Sequence, residues 1–148
     1  MIDYVDVQVL LVEDTVEDAE LMLRTLRKSG LANDLHHVQD GAEALEFLLG
    51  SGRPKSVPMP KLVLLDLKLP KVNGLEVLRQ LRAQEATLRV PVVMITSSRE
   101  DSDIEEAYRL GANGYVVKPV DFVQFAEAMR EVGMYWLLIN EVPTRPSS

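Results

Sequence analysis

Lys61–Gly74, KLVLLDLKLPKVNG, is the stretch whose reading decides the fold. A short apolar run, Leu62 to Leu65, leads to one carboxylate, Asp66, and Pro70 and the Asn73-Gly74 pair then break the chain. An uninterrupted apolar run of this length describes a strand covered on both faces, and such strands belong to parallel sheets. In open α/β sheets chemistry collects just beyond the carboxyl ends of the strands, which is where Asp66 falls. Taken alone, an Asp at a strand end is more often a turn or helix-capping residue. Its role therefore depends on what the other strands bring beside it.

On either side the pattern repeats. Val7–Val12 is predicted as a buried strand ending in Glu13-Asp14-Thr15, followed by Ala19, Met22, Leu23 and Leu26 at helical spacing and a stop at Ser29-Gly30. Asp34–Val38 is a weaker strand whose polar residues suit a sheet edge, and Asp40-Gly41 opens a helix facing inward through Ala44 or Leu45, Leu48 and Leu49. Gly50–Pro60, rich in Gly, Pro and Ser, is a surface insertion rather than a linker. Beyond Asp66 come a helix carrying Leu75, Leu78 and Leu81, then the strand Pro91–Ile95 ending in Thr96-Ser97-Ser98. Arg99–Leu110 is an acidic helix with Ile104, Ala107 and Tyr108 inward, closed by Gly111. Gly114–Val117 is a fifth strand ending in Lys118-Pro119, and the last helix, from about Asp121, shows Phe122, Phe125, Ala126, Met129, Val132 and Trp136 at helical spacing. Regular strand–helix alternation implies an α/β domain, a five-stranded, doubly wound parallel sheet with right-handed crossovers and helices on both faces.

Composition limits the function. The 148 residues are expected to form one domain over 1–142, with 143–148 a disordered tail. A formal net charge of −7 argues against a general nucleic-acid binder. The absence of cysteine removes disulfide and thiol chemistry. The amino-terminal MIDYVDVQVLLVED has no basic leader and no apolar stretch approaches a membrane span of roughly 20 residues, so a cytoplasmic protein is expected.

Five side chains fall at strand ends: Glu13 and Asp14 on the first, Asp66 on the third, Thr96 on the fourth and Lys118 on the fifth. If the strands are parallel neighbours, these converge on one rim. Three carboxylates raise one another's pKa unless compensated, and one lysine leaves an excess of negative charge. A hard divalent cation such as Mg²⁺ would balance it. Asp66 could then attack phosphorus to form an aspartyl phosphate, with Lys118 and the Thr96 hydroxyl on the phosphoryl oxygens.

VLLVED, LLDLKLPKVNG, VVMITSS and GYVVKP, in this order, closely resemble the receiver domain of bacterial response regulators. The resemblance covers nearly the whole chain and implies a flavodoxin-like strand order 2-1-3-4-5. It implies Asp66 as phospho-acceptor, a Mg²⁺ pocket of Glu13, Asp14 and Asp66 with the backbone carbonyl of Lys68, and Thr96 and Lys118 as phosphoryl ligands. Tyr115 matches the family's aromatic switch, and a cis peptide is implied at Lys118-Pro119. The loop Gly50–Pro60, the DLKLP wording and the tail VDFVQFAEAM…YWLLI resemble the single-domain receivers that partner phytochrome-type sensor histidine kinases. Such a protein would catalyse only its own phosphorylation and dephosphorylation. With no output domain following, its signal would leave through a changed surface of the fourth helix, fifth strand and fifth helix, or by onward phosphotransfer.

Two other functions compete. Aspartyl-nucleophile phosphatases on a similar fold carry a second Asp two residues after the first, where this chain has Lys68. A flavodoxin-like cofactor binder would need a Gly/Ser/Thr-rich loop after the first strand, where this chain has acids. His36 and His37 are adjacent on a strand and point to opposite faces, so they cannot chelate one metal together. Met22, Met94 and Met129 are expected in the core. Met134, Tyr135, Trp136, Leu137, Leu138 and Ile139 are apolar nearly all round, more than one buried face requires, and a homodimer through this C-terminal helix is expected. Gly133 within it marks a bend or close packing, since it costs about 1 kcal/mol relative to Ala.

Overall fold

The computed structural model describes residues 4, 7–31 and 34–141. The expected domain limit at 142 and the tail 143–148 lie outside the described residues. Five strands, β1 (Val9–Val12), β2 (Leu35–Val38), β3 (Leu62–Leu65), β4 (Val92–Thr96) and β5 (Gly114–Val117), alternate with α1 (Val16–Lys28), α2 (Gly41–Leu49), α3 (Gly74–Ala83), α4 (Asp101–Arg109) and α5 (Phe122–Gly133). A π-helical segment, Met134–Ile139, prolongs α5. The strands form one sheet in the order β2-β1-β3-β4-β5, and every pairing is parallel.

The pleat explains why the central strands carry no polar residue before Thr96, the last of β4. Leu10, Val12, Val63, Leu65 and Met94 point to one face, into a layer with Phe47 and Leu48 of α2, Val77, Leu78 and Leu81 of α3 and Ala107 of α4. Val9, Leu11, Leu62, Leu64, Val93 and Ile95 point to the other, against Ala19, Met22 and Leu26 of α1 and Phe125 and Met129 of α5. Both faces are covered, so both registers of the period-two pattern must be apolar. The three methionines expected in the core are there.

Helix starts follow the sequence closely. Asp40 caps α2 by accepting from the Glu43 N–H at 2.8 Å, and Asn73 caps α3 by accepting from Glu76 at 3.0 Å. The Gly50–Pro60 stretch is tied down by Arg53, which donates to the carbonyls of Phe47 and Pro58 and lies over the rings of Tyr4 and Phe47. Gly133 answers to close packing: a Cβ there would lie 2.7 Å from Leu26 Cδ2 and 2.9 Å from Leu31 Cδ1, where α1 and α5 meet.

Four expectations fail. Tyr108 is exposed, because α4 rests on the sheet edge through Ala107 alone among its fully buried positions. Phe122 is exposed too: it is the first residue of α5, where no preceding turn shields it. Leu137, assigned to a dimer surface, is buried in the α1–α5 core layer, with Trp136 half-buried against that layer. The cause is the wider turn of the π-helix, whose i→i+5 bonding is visible as Asn140 N–H to Tyr135 C=O at 2.7 Å and which rotates side chains away from α-helical phase. Finally, the Lys118-Pro119 peptide is trans, there being no cis peptide among the described residues. Trans is the lower-energy isomer of an X–Pro bond, and the inward aim of Lys118 has another source, described next.

Candidate functional site

Because all five strands run the same way, their carboxyl ends share one rim. β1 delivers Glu13 and Asp14, β3 delivers Asp66, β4 ends in Thr96 and β5 leads into Lys118. The structure brings the acids together: one carboxylate oxygen from each of Glu13, Asp14 and Asp66 lies within 4.8 Å of the others. Glu13 and Asp66 are 1% and 7% exposed, whereas Asp14 is open to solvent.

Lys118 aims inward because carboxylates surround it. Its Nζ lies 2.7 Å from Glu13 Oε1, 2.9 Å from Asp18 Oδ2 and 3.1 Å from Asp66 Oδ2. An ammonium has three protons, and here three carboxylates compete for them. The Glu13 contact is a charge pairing outside hydrogen-bond alignment, which leaves Oε1 buried without a hydrogen-bond donor. The backbone holds the lysine as well, since the Lys118 N–H donates to the Thr96 carbonyl at 2.7 Å.

Burial pushes the Glu13 carboxyl up to about 7, the negative charge of Asp66 adds to this, and Lys118 offsets the rise only in part. Burial alone would lower Lys118, but the hydrogen bond to Asp18, the close Glu13 carboxylate and the charge of Asp66 outweigh it and hold the ammonium above the ordinary lysine range. Three carboxylates, Glu13, Asp18 and Asp66, thus contact one ammonium, and a fourth, Asp14, lies beside Glu13 and Asp66. An all-oxygen donor set with excess negative charge and an undonated buried oxygen, Glu13 Oε1, fits a hard divalent cation.

Asp66 Oδ1 accepts the Leu67 N–H at 2.7 Å, which fixes the carboxylate so that Oδ2 faces Lys118. Thr96 is buried at the rim but stands outside this network, its Oγ1 taking the Ser98 N–H at 3.3 Å. Tyr115 is half-buried, with its hydroxyl donating to the Ser98 carbonyl at 3.0 Å, so it closes on the loop that follows Thr96. The Lys68 side chain projects into solvent two residues past Asp66.

A protein-family model described as the response regulator receiver domain matches residues 9–130. The chain belongs to that family. The receiver is 34% identical to response regulator Rcp1 of Synechocystis sp. over 91% of this chain and 92% of that protein. Its fold matches the Mn²⁺-bound structure of Rcp1 with a TM-score of 0.84 at 33% identity, covering 92% of this chain and 98% of that one. It matches the phosphorylated cyanobacterial phytochrome response regulator RcpA with a TM-score of 0.85 at 32% identity, covering 92% and 97%. The bacteriophytochrome response regulator RtBRR is 50% identical, with a TM-score of 0.70 and coverage of 92% and 83%.

Two residues of the receiver's rim escaped the sequence reading. Asp18 stands in the first turn of α1, four residues beyond Asp14, and an acid in the first turn of the helix that leaves this rim was a usable signal. His37 donates from Nε2 to the Glu13 carbonyl at 2.7 Å, a contact that depends on β1–β2 register, which no local pattern reveals.

Proposed function

We propose that this receiver takes a phosphoryl group onto Asp66 from the phosphohistidine of a sensor histidine kinase. The observation that carries this is the Lys118 ammonium held 3.1 Å from Asp66 Oδ2 inside a ring of carboxylates. An Asp66 carboxylate oxygen attacks phosphorus, the O–P bond forms as the P–N bond to the donor imidazole breaks, and that nitrogen keeps the electron pair and takes up a proton. Lys118 binds an equatorial oxygen of the transferred group, and the Thr96 hydroxyl, released from Ser98, donates to another. Glu13, Asp14 and Asp66, with the Lys68 carbonyl, would hold Mg²⁺, which when bound neutralises charge on the phosphoryl oxygens. Drawing Thr96 inward alters the loop on which the Tyr115 hydroxyl rests, and the α4–β5–α5 surface changes with it.

Exposed apolar residues flank this rim. Val16 follows β1, and Val120, Phe122 and Val123 follow β5, Val120 being 99% exposed. They offer a contact surface to a docking kinase, of phytochrome type by analogy with RcpA and RtBRR. Lys68 at the second position after Asp66 gives no general acid for phosphatase turnover, so the activity is limited to the protein's own phosphorylation and dephosphorylation. Net charge of −7 disfavours nucleic acid as a partner. Among the described residues no helix is long and apolar enough to cross a membrane, in keeping with work in the cytoplasm. Incubation with acetyl phosphate and Mg²⁺ should add one phosphoryl mass to the wild type and none to Asp66→Asn; equal labelling of both would overturn the assignment.

Homodimerisation through the C-terminal helix is a second part of the proposal. Met134, Tyr135, Leu138 and Ile139 remain exposed, Leu138 at 65%, and form the apolar face once Leu137 and Trp136 are assigned to the core. Light scattering should give a dimer mass for the wild type and a monomer mass for Leu138→Glu. A monomeric wild type would refute it.

A further inference from the structure

We propose that His37 is a positioning residue for the carboxylate rim: it aims Asp14 by fixing the peptide that joins Glu13 to Asp14. This rests on the assignment of Glu13, Asp14 and Asp66 as a cation site. The two histidines of β2 are separated by the pleat. His36 pairs in register with Leu10 and stacks on Phe47 with ring centroids 4.5 Å apart. His37 pairs with Leu11, faces the opposite side, and reaches past the end of β1 to the Glu13 carbonyl at 2.7 Å. A carbonyl only accepts, so the proton must sit on Nε2.

Among the described residues no other hydrogen bond holds that carbonyl. β1 ends at Val12 and α1 begins at Val16, so the Glu13–Asp14 unit lies between two regular ladders. Glu13 is secured without it: its N–H donates to the Val38 carbonyl at 3.1 Å, Oε2 accepts from the Thr15 N–H at 3.1 Å, and Oε1 lies against Lys118. What remains to be set is the plane of the following peptide, which decides where the exposed Asp14 carboxylate points. A rotation of that plane by ~30° would swing the carboxylate by on the order of 1 Å, against a tolerance of ~0.2 Å in metal–ligand distances.

Groups that orient metal ligands in this way are worth about 10- to 100-fold in metal affinity. His37 acts on one carboxylate of three, so the effect should lie at the lower end. If His37 served only to fasten the edge strand β2, its loss would lower stability and leave cation affinity unchanged.

The test uses Mn²⁺ as probe, following the disappearance of the free-ion paramagnetic resonance signal in wild type, His37→Val, His37→Gln and His36→Val. Gln carries its amide nitrogen the same number of bonds from Cβ as Nε2 and retains the donor. The expected result is a roughly tenfold higher dissociation constant for His37→Val, recovery to near wild type in His37→Gln, and no change in His36→Val. Wild-type affinity in His37→Val, or equal weakening in His37→Gln or in His36→Val, would overturn the role of His37. Failure of the wild type itself to bind Mn²⁺ would instead overturn the cation site. Should His37→Val not fold, nitrogen NMR of the wild-type imidazole decides: a neutral ring protonated on Nδ1 has no proton for the Glu13 carbonyl and refutes the proposal, and one protonated on Nε2 supports it.

Discussion

Gly74→Ala probes how tightly the Asp66 loop is clamped. Gly74 opens α3 and donates its N–H to the Leu67 carbonyl at 2.8 Å. A Cβ on it would lie 2.1 Å from the Asp66 carbonyl oxygen, 2.9 Å from Leu67 Cα and 3.0 Å from Asp66 C. Ordinary contact is about 3.5 Å, so the helix start and the strand end must separate by ~1 Å. All three obstructing atoms are backbone, so no rotamer relieves the clash. Overpacking against backbone falls at the upper end of the usual cost of about 1–3 kcal/mol, and the ~1 kcal/mol gained by Ala over Gly in a helix offsets part of it, leaving a net loss of up to about 2 kcal/mol. The functional effect should be larger. Moving the loop by ~1 Å carries Asp66 Oδ2 out of reach of Lys118, and displacement on that scale costs on the order of 100-fold in rate. Urea unfolding and initial rates with acetyl phosphate measure the two effects. Gly30→Ala is the control: Gly30 has φ +68° with nothing within 4 Å of a built Cβ, so about 1 kcal/mol of backbone strain is expected with no effect on rate. Wild-type stability and rate in Gly74→Ala would refute the clamp.

The proton on Glu13 should be visible in cation binding. A carboxyl raised to about 7 in the folded state and ordinary in the unfolded chain stabilises the metal-free fold most below about 4.5, and that stabilisation is lost as pH rises through about 7. Cation binding needs the ionised form, so calorimetry in buffers of different ionisation enthalpy should find proton release near pH 6 and none near pH 8; its absence near pH 6 would count against the shift. Lys118→Met removes the ammonium from among three carboxylates and should destabilise by about 3–5 kcal/mol near pH 7 by urea unfolding, with the deficit shrinking as acid neutralises Glu13. Arg82→Lys should not behave as a conservative change: the guanidinium donates to the carbonyls of Gly111, Thr87 and Leu88 and to Asn113 Oδ1, which a lysine cannot serve together, and a fall in thermal midpoint corresponding to about 2 kcal/mol is expected.

The fold was legible because burial on both faces leaves a mark: Leu62–Leu65 contains no polar residue, and Pro70 and Asn73-Gly74 close the run at strand length rather than helix length. The site was legible for a related reason, since parallel strands all end on one side and Glu13, Asp14, Asp66, Thr96 and Lys118 need only be read off their ends. Contacts between distant segments were not legible. Asp18 and Lys118 are 100 residues apart, and His37 meets Glu13 only through pairing of an edge strand. Helical periodicity gave the spacing of an inward face but not how far the sheet extends beneath it, hence the misplacement of Tyr108 and Phe122. Nor could it foresee that the turn widens after Gly133, which moves Leu137 from the surface to the interior.

The common direction of the strands also divides the connections into two kinds. The segments that follow strands carry Glu13, Asp14, Asp66, Ser98 and Lys118, with Lys118 tied to both Glu13 and Asp66. The segments that precede strands, including Gly50–Pro60 before β3 and Gln84–Pro91 before β4, lie at the opposite pole of the sheet. Their lengths and sequences are free to drift without disturbing an atom of the rim, provided anchors such as Arg53 and Arg82 keep their carbonyl partners. One end of the molecule is therefore fixed by chemistry, and the other is available for grafting: a tag, a reporter or a second domain inserted at Gly52, which is exposed, should leave phosphoryl chemistry intact.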